Sequence, residues 1–374
     1  MKIKLPFKLP LYAKIIFCAL LLGLAVKGAA VLSAPFADLY TTTVGAALRA
    51  LFGALSSLIP FSIAETLILL FVPLVIWLVV WILQDGDRRR RLAAALCAAL
   101  SLCAYLCASF FLLYGAGYHT TPLAKKLYPN ADEVTADGIF ETAVYLMVEA
   151  NAAAKAMTYD AAGAAISPDT LAGTSKALCA AYNRAASTYD FLPPMYAAAK
   201  ELALSVPLTY TQMAGFYTFY TGEVNVSVNY PDFTVAFTAA HEMAHQRGVA
   251  REDEADFVAF LVCISSDDPF LQYSGYMSML QSALTALARL DEARATELFS
   301  YAADGVRSEF AAYVRKMTSY ANLTAARAAN ALNNTYLRAQ GVADGTHSYN
   351  RAVDLAVAYY YDGLQNGSLY DLVG

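Results

Sequence analysis

The sequence predicts a mainly α protein, with N-terminal transmembrane helices followed by an α-rich domain that carries a small β-hairpin or sheet. Three observations lead there. The 374 residues are 58% hydrophobic and only 15% charged, against about 45–50% apolar and roughly 25% charged in ordinary soluble domains. The excess is concentrated in three long apolar runs before residue 119. One short stretch of alternating β-branched residues, "GEVNVSVNY", interrupts an otherwise helical remainder.

The apolar runs come first. A bilayer takes about 20 residues of helix to cross. "KIIFCALLLGLAVKGAAVLSA" (14–34), "IAETLILLFVPLVIWLVVWIL" (63–83) and "LAAALCAALSLCAYLCASFFLLYGAGY" (92–118) all meet that length. The first run is too long for the apolar core of a signal peptide, and more spans follow, so it reads as an uncleaved helix. Lys27 and Glu65 are the notable polar residues in these runs, too few for a conduction pathway. Lys2, Lys4, Lys8 and Lys14 precede or open the first run, and "DGDRRRR" joins the second to the third. Basic residues mark the cytoplasmic side. The segment near 36–58, with Asp38 and Arg49, then lies outside and reads as an interfacial amphipathic helix. A fourth span is the rival reading, and it would reverse the side of everything that follows. The chain divides into a membrane domain, 1–118, and an extracytoplasmic domain, 119–374. It is expected to be a multi-pass protein of the cytoplasmic membrane, with the lipid bilayer as one partner.

The second domain opens on a loop with Pro122 and Pro129, followed by alanine-rich helix broken at "SPD" (167–169) and "LPP" (192–194). Val224, Val226 and Val228 alternate with Asn225, Ser227 and Asn229, the period of a half-buried strand. Thr221-Gly222 is the turn expected between two short strands. Helix resumes after Pro231-Asp232. The net charge of −5, without a long basic run beyond the one loop, argues against nucleic acid as a partner. The six cysteines show no metal spacing and no disulfide framework, and pairing of Cys179 with Cys263 is left open.

The chemistry is concentrated in "HEMAHQRGVAREDEAD", 241–256, which holds two of the four histidines. "PDFTVAFTAAHEMAHQRG" reads as a helix that Asp232 caps and Gly248 ends. Residues four apart share one helix face, so His241 and His245 can hold one Zn²⁺ through neutral imidazole nitrogens. Glu242, beside the first ligand, is placed to take a proton from water. Phe237, Ala240 and Ala244 pack the helix into its domain. The tail from 344 onward is a candidate source of an oxyanion donor, with His347 and Tyr349 just before a new helix, and Tyr273 and Tyr276 as others. His119 reads as an interfacial residue.

Three resemblances extend this reading. HExxHxxG resembles the start of the metzincin motif, but Arg251 stands where that motif has its third ligand. "EDEAD" resembles the E-x-x-A-D stretch of gluzincin-type peptidases. That resemblance implies Glu252 as third ligand, with Glu254 the alternative because the phase of the second helix is open. It implies Asp256 as the acceptor that supports a histidine. The layout of the whole chain resembles bacterial domain-of-unknown-function family 3810, through "YTGEVNVSV", "FTAAHEMAHQRGVAREDEADFVAFL" and "SYNRAVDLAVAYY". It implies a bacterial membrane protein with a zincin-like domain. The expected function is zinc-dependent hydrolysis of extracytoplasmic peptides or proteins near the membrane. The strand before the histidines would offer its edge to an extended substrate. A metal-binding sensor or scaffold without turnover is the alternative.

Overall fold

The computed structural model describes residues 9–84, 86–339, 351–370 and 372. It is mainly α with one small sheet, as the sequence predicts. Among the described residues, three helices are long and apolar enough to cross a membrane: α1 (Leu11–Leu32), α4 (Ile63–Leu83) and α5 (Arg88–Leu113). The second coincides with its expected span. The third starts earlier and ends sooner, giving way to a 3-10 turn over Gly115–His119. Between the first two, the expected single amphipathic helix is two, α2 (Ala34–Thr42) and α3 (Val44–Ser56), with Ser33 capping α2. Arg49 points inward and is fully enclosed by protein rather than lying among headgroups.

The expected loop after residue 119 holds a short helix, α6 (Leu123–Leu127), tied back to α2 by the Lys126–Asp38 ion pair at 2.8 Å. α7 (Ala136–Ala154) and α8 (Leu171–Ala185) follow, each capped by a threonine hydroxyl. Strand β1 (Ala199–Glu201), helix α9 (Ser205–Thr209) and strands β2 (Gly215–Thr218) and β3 (Glu223–Val226) come next. The chain then continues through α10 (Asp232–Gln246), α11 (Glu252–Ile264), α12 (Pro269–Leu290), α13 (Glu292–Ser300), α14 (Asp304–Ser319), α15 (Leu323–Ala339) and α16 (Arg351–Gln365). The core forms where α12 packs on α7, α10 and α11, with Phe233, Phe257, Phe260, Tyr273, Met277 and Leu280 buried together.

The sheet order is β1-β3-β2, with β1 parallel and β2 antiparallel to β3. This corrects the expectation for "GEVNVSVNY". β3 is the central strand and all four of its residues are buried, so it has no free edge. A three-stranded sheet sunk against helices covers both faces of its middle strand, which the period-2 pattern cannot reveal. The edge strand beside α10 is β2. The predicted Thr221-Gly222 turn is present, with Gly222 at φ +74°.

The sheet holds the membrane-side helices. The Glu223 carboxylate accepts from the Ile63 and Ala64 amides at 3.0 Å each, capping α4, and is paired with buried Lys200. In return, Glu65 of α4 accepts from the Ala203 and Leu204 amides at 2.9 and 2.7 Å. Glu65 is thus a clamp on the second domain. Beyond this first turn, α4 presents apolar side chains outward all along its length. Cys179 and Cys263 are both free thiols.

Candidate metal centre

The site is built on α10 and the start of α11. α10 begins at Asp232, which does not cap its own helix as expected; its carboxylate accepts instead from the Ser167 amide at 2.9 Å. The helix ends as predicted at Gly248. Its φ of +100° allows the Val249 amide to reach the Ala244 carbonyl at 3.1 Å, the closing bond of a left-handed glycine cap. A side chain at 248 would also strike the Arg49 guanidinium, 2.5 Å from an added Cβ. The sharp turn leaves only six residues between His245 and the carboxylate at 252.

His241 Nε2 and His245 Nε2 lie 3.2 and 3.3 Å from Glu252 Oε2. One ligand atom from each of the three residues falls within 4.8 Å of the others. The two rings stand at 90° to each other. The far nitrogens are also engaged. His241 Nδ1 is 2.6 Å from Asp256 Oδ1, and His245 Nδ1 is 2.7 Å from the Val249 carbonyl. With Nδ1 donating to these acceptors, the neutral form of each ring has its Nε2, on the Glu252 side, available to ligate a metal.

Glu242 is buried beside them, and its Oε2 has no hydrogen-bond partner among the described residues. Burial pushes its carboxyl pKa up, while the two histidines and the Tyr217 backbone amide pull against it. β2 passes close enough that a Cβ at Gly215 would lie 3.0 Å from Glu242 Cγ. Burial also works to raise Glu252, but the His245 and His241 imidazoles hold it well below the usual carboxylate range. Burial disfavours charge on the histidines too. The Asp256 carboxylate nevertheless keeps His241 well above the ordinary imidazole value, and Glu252 raises His245.

The other acids go elsewhere. Glu254, the alternative third ligand, accepts from the Leu123 amide and from Arg251, each at 2.8 Å, and so caps α6. Its position two residues on turns it to the opposite side of α11. Tyr273 donates to Glu309 at 3.0 Å, and Tyr276 packs against Tyr145 and Phe260, so neither joins the cluster. His347 and Tyr349 lie outside the described residues. His119 ends the 3-10 turn, half-buried.

Two residues missed by the sequence reading belong here. Tyr114, the residue after α5, places its hydroxyl 3.0 Å from His245 Nδ1. Arg49 of α3 donates to the Gln246 and Arg247 carbonyls at the end of α10, and to those of Leu113 and Thr41. Neither has a local signal, because their partners are more than 130 residues away for Tyr114 and almost 200 for Arg49.

A family described as "Protein of unknown function (DUF3810)" matches residues 40–357. The chain belongs to this family. The DUF3810 match takes in α3, α4, α5 and the whole histidine–acid cluster, so it treats the membrane-side helices and the site as one unit. Comparison with curated proteins and with solved structures gave no match.

The residues present fit a zinc ion. Two imidazole nitrogens and a carboxylate are the donor set of catalytic zinc sites that keep an open position. Each histidine also has an acceptor behind it, as ligating histidines do.

Proposed function

We propose that this DUF3810 member is a membrane-anchored, zincin-like metallopeptidase that hydrolyses peptide bonds of extracytoplasmic proteins or peptides near the membrane. The observation that carries the reading is the convergence of His241, His245 and Glu252 beside the buried Glu242 carboxyl, one oxygen of which is unpartnered among the described residues. His241, His245 and Glu252 would hold Zn²⁺, which when bound supplies Lewis acidity that lowers the pKa of water and polarises a carbonyl.

The rest is done by the chain itself. Asp256 and the Val249 carbonyl fix the Nδ1 protons, so the imidazoles keep one tautomer and one orientation. Glu242 takes a proton from the attacking water and returns it to the leaving amine. Its burial raises its pKa above the ordinary carboxylate value, the direction that favours a proton acceptor. β2, the edge strand against α10, is suited to align an extended substrate by main-chain hydrogen bonds. The basic residues before α1 and in the first turn of α5 support a cytoplasmic N-terminus and an outer site.

Glu242→Gln tests this. The wild-type chain and the variant, purified whole in detergent, are compared for zinc content and for cleavage of a peptide library. The reading expects both to hold zinc, with hydrolysis down by about 10²–10⁴-fold in the variant. A wild-type chain that holds zinc and cleaves nothing would instead favour a metal-binding sensor or scaffold.

A further inference from the structure

We infer that Tyr114 is a positioning residue of the metal centre, so that the end of a membrane-side helix completes a site whose ligands all come from the second domain. This deepens the reading of His241, His245 and Glu252 as zinc ligands and rests on it.

The Val249 carbonyl beside His245 Nδ1 can only accept, so Nδ1 carries a proton and Nε2 is the nitrogen on the Glu252 side. That N–H has two acceptors: the Val249 carbonyl at 2.7 Å and the Tyr114 hydroxyl oxygen at 3.0 Å. The hydroxyl's own proton is directed to the Ala250 carbonyl at 3.4 Å. Val249 and Ala250 belong to the turn that follows α10, and Tyr114 belongs to α5. The imidazole is therefore held from two independent elements, which fixes its rotation as well as its tautomer.

The tyrosine is itself immobilised. Its ring meets the imidazole edge-on at 83°, with centroids 5.8 Å apart. Phe110 and Tyr118 pack against it from its own segment at 6.1 and 5.7 Å. Tyr217 and Phe219 do so from the β2–β3 hairpin at 5.6 and 6.4 Å. Tyr114 is buried, so its hydroxyl bonds are shielded from competing water. A displacement of α5 relative to α10 would thus be transmitted to a ligand nitrogen.

The test uses the whole chain in detergent, with Zn²⁺ affinity read by chelator competition and Co²⁺ as a spectroscopic probe. Tyr114→Phe removes only the hydroxyl. Tyr105→Phe is the control, because Tyr105 of α5 donates to the Tyr220 carbonyl at 2.7 Å, away from the histidines. Tyr114→Phe is expected to weaken Zn²⁺ binding about tenfold, the lower end for outer partners of metal ligands, since the Val249 carbonyl remains. It should also shift the Co²⁺ absorption bands. Tyr105→Phe is expected to lower the Tm while leaving affinity and spectrum as in the wild type. Tyr114→Phe affinity within about twofold of wild type, with an unshifted Co²⁺ spectrum, would overturn the inference while leaving the zinc reading intact. A wild-type chain that binds no Zn²⁺ would overturn both.

Discussion

Glu242 and Glu309 are both buried carboxyls, and their surroundings separate their roles. Glu242 shares its enclosure with two histidines and a third carboxylate, all within one turn of helix or one short loop. Glu309 sits in the core, accepting from the Ala165 amide at 2.6 Å and the Tyr273 hydroxyl at 3.0 Å, with its other oxygen unpartnered among the described residues. Burial pushes its pKa up to about 7. The folded state therefore holds a proton that the unfolded chain releases near its ordinary value of 4.5. Stabilisation from that proton is fully present below the unfolded value and is lost as pH rises through about 7. Glu309→Gln is expected to raise the Tm at pH 8 and change it little at pH 5, measured by thermal unfolding at both pH values. An equal effect at the two would contradict the account. The grouping of His241, Glu242 and His245 was legible in the sequence because i, i+1 and i+4 on a helix are local geometry. The choice between Glu252 and Glu254 was not, because it depends on how a second helix is phased across a turn.

Arg49, on α3, ties together α2, α5 and α10, which the sequence gives no reason to join. Its guanidinium donates to four carbonyls: Gln246 and Arg247 at the C-terminal end of α10, Leu113 at the end of α5, and Thr41 in α2. A cation there meets the negative end of the α10 dipole and satisfies carbonyls that no helix bond can reach. Burial lowers its pKa to about 10, which still leaves it charged at neutral pH. Arg49→Met should leave these acceptors buried without a donor and cost at least about 3 kcal/mol. Chemical denaturation in detergent would measure it, and a loss below about 1 kcal/mol would contradict the assigned role. Helix positions were readable from apolar length and periodicity; α4 begins and ends where its run does. The sheet was only half readable. Alternation located β3 but could not show that β1, far upstream, covers its other side.

Across the entire chain, the membrane-side helices and the second domain share polar bonds as well as apolar contacts. Glu223 caps α4 and Glu65 answers it, Asp38 holds α6, Arg49 closes α10, and Tyr114 touches His245. The boundary expected at residue 118 is a change of composition more than a break in the fold. Composition reads where apolar surface is concentrated, whereas these clamps depend on single polar residues set in apolar segments. What the sequence made plain is the constituents: three apolar helices, a helical domain and a histidine–acid motif. What it withheld is their assembly around one point. Metal content reads that point most directly. Elemental analysis of the intact chain, purified in detergent without added metal, is predicted to find about one Zn²⁺ per chain. His241→Ala and Glu252→Ala should lose it and Glu254→Gln should retain it. A wild-type chain with little or no Zn²⁺, or a Glu252→Ala chain that keeps it in full, would contradict the metal centre described here.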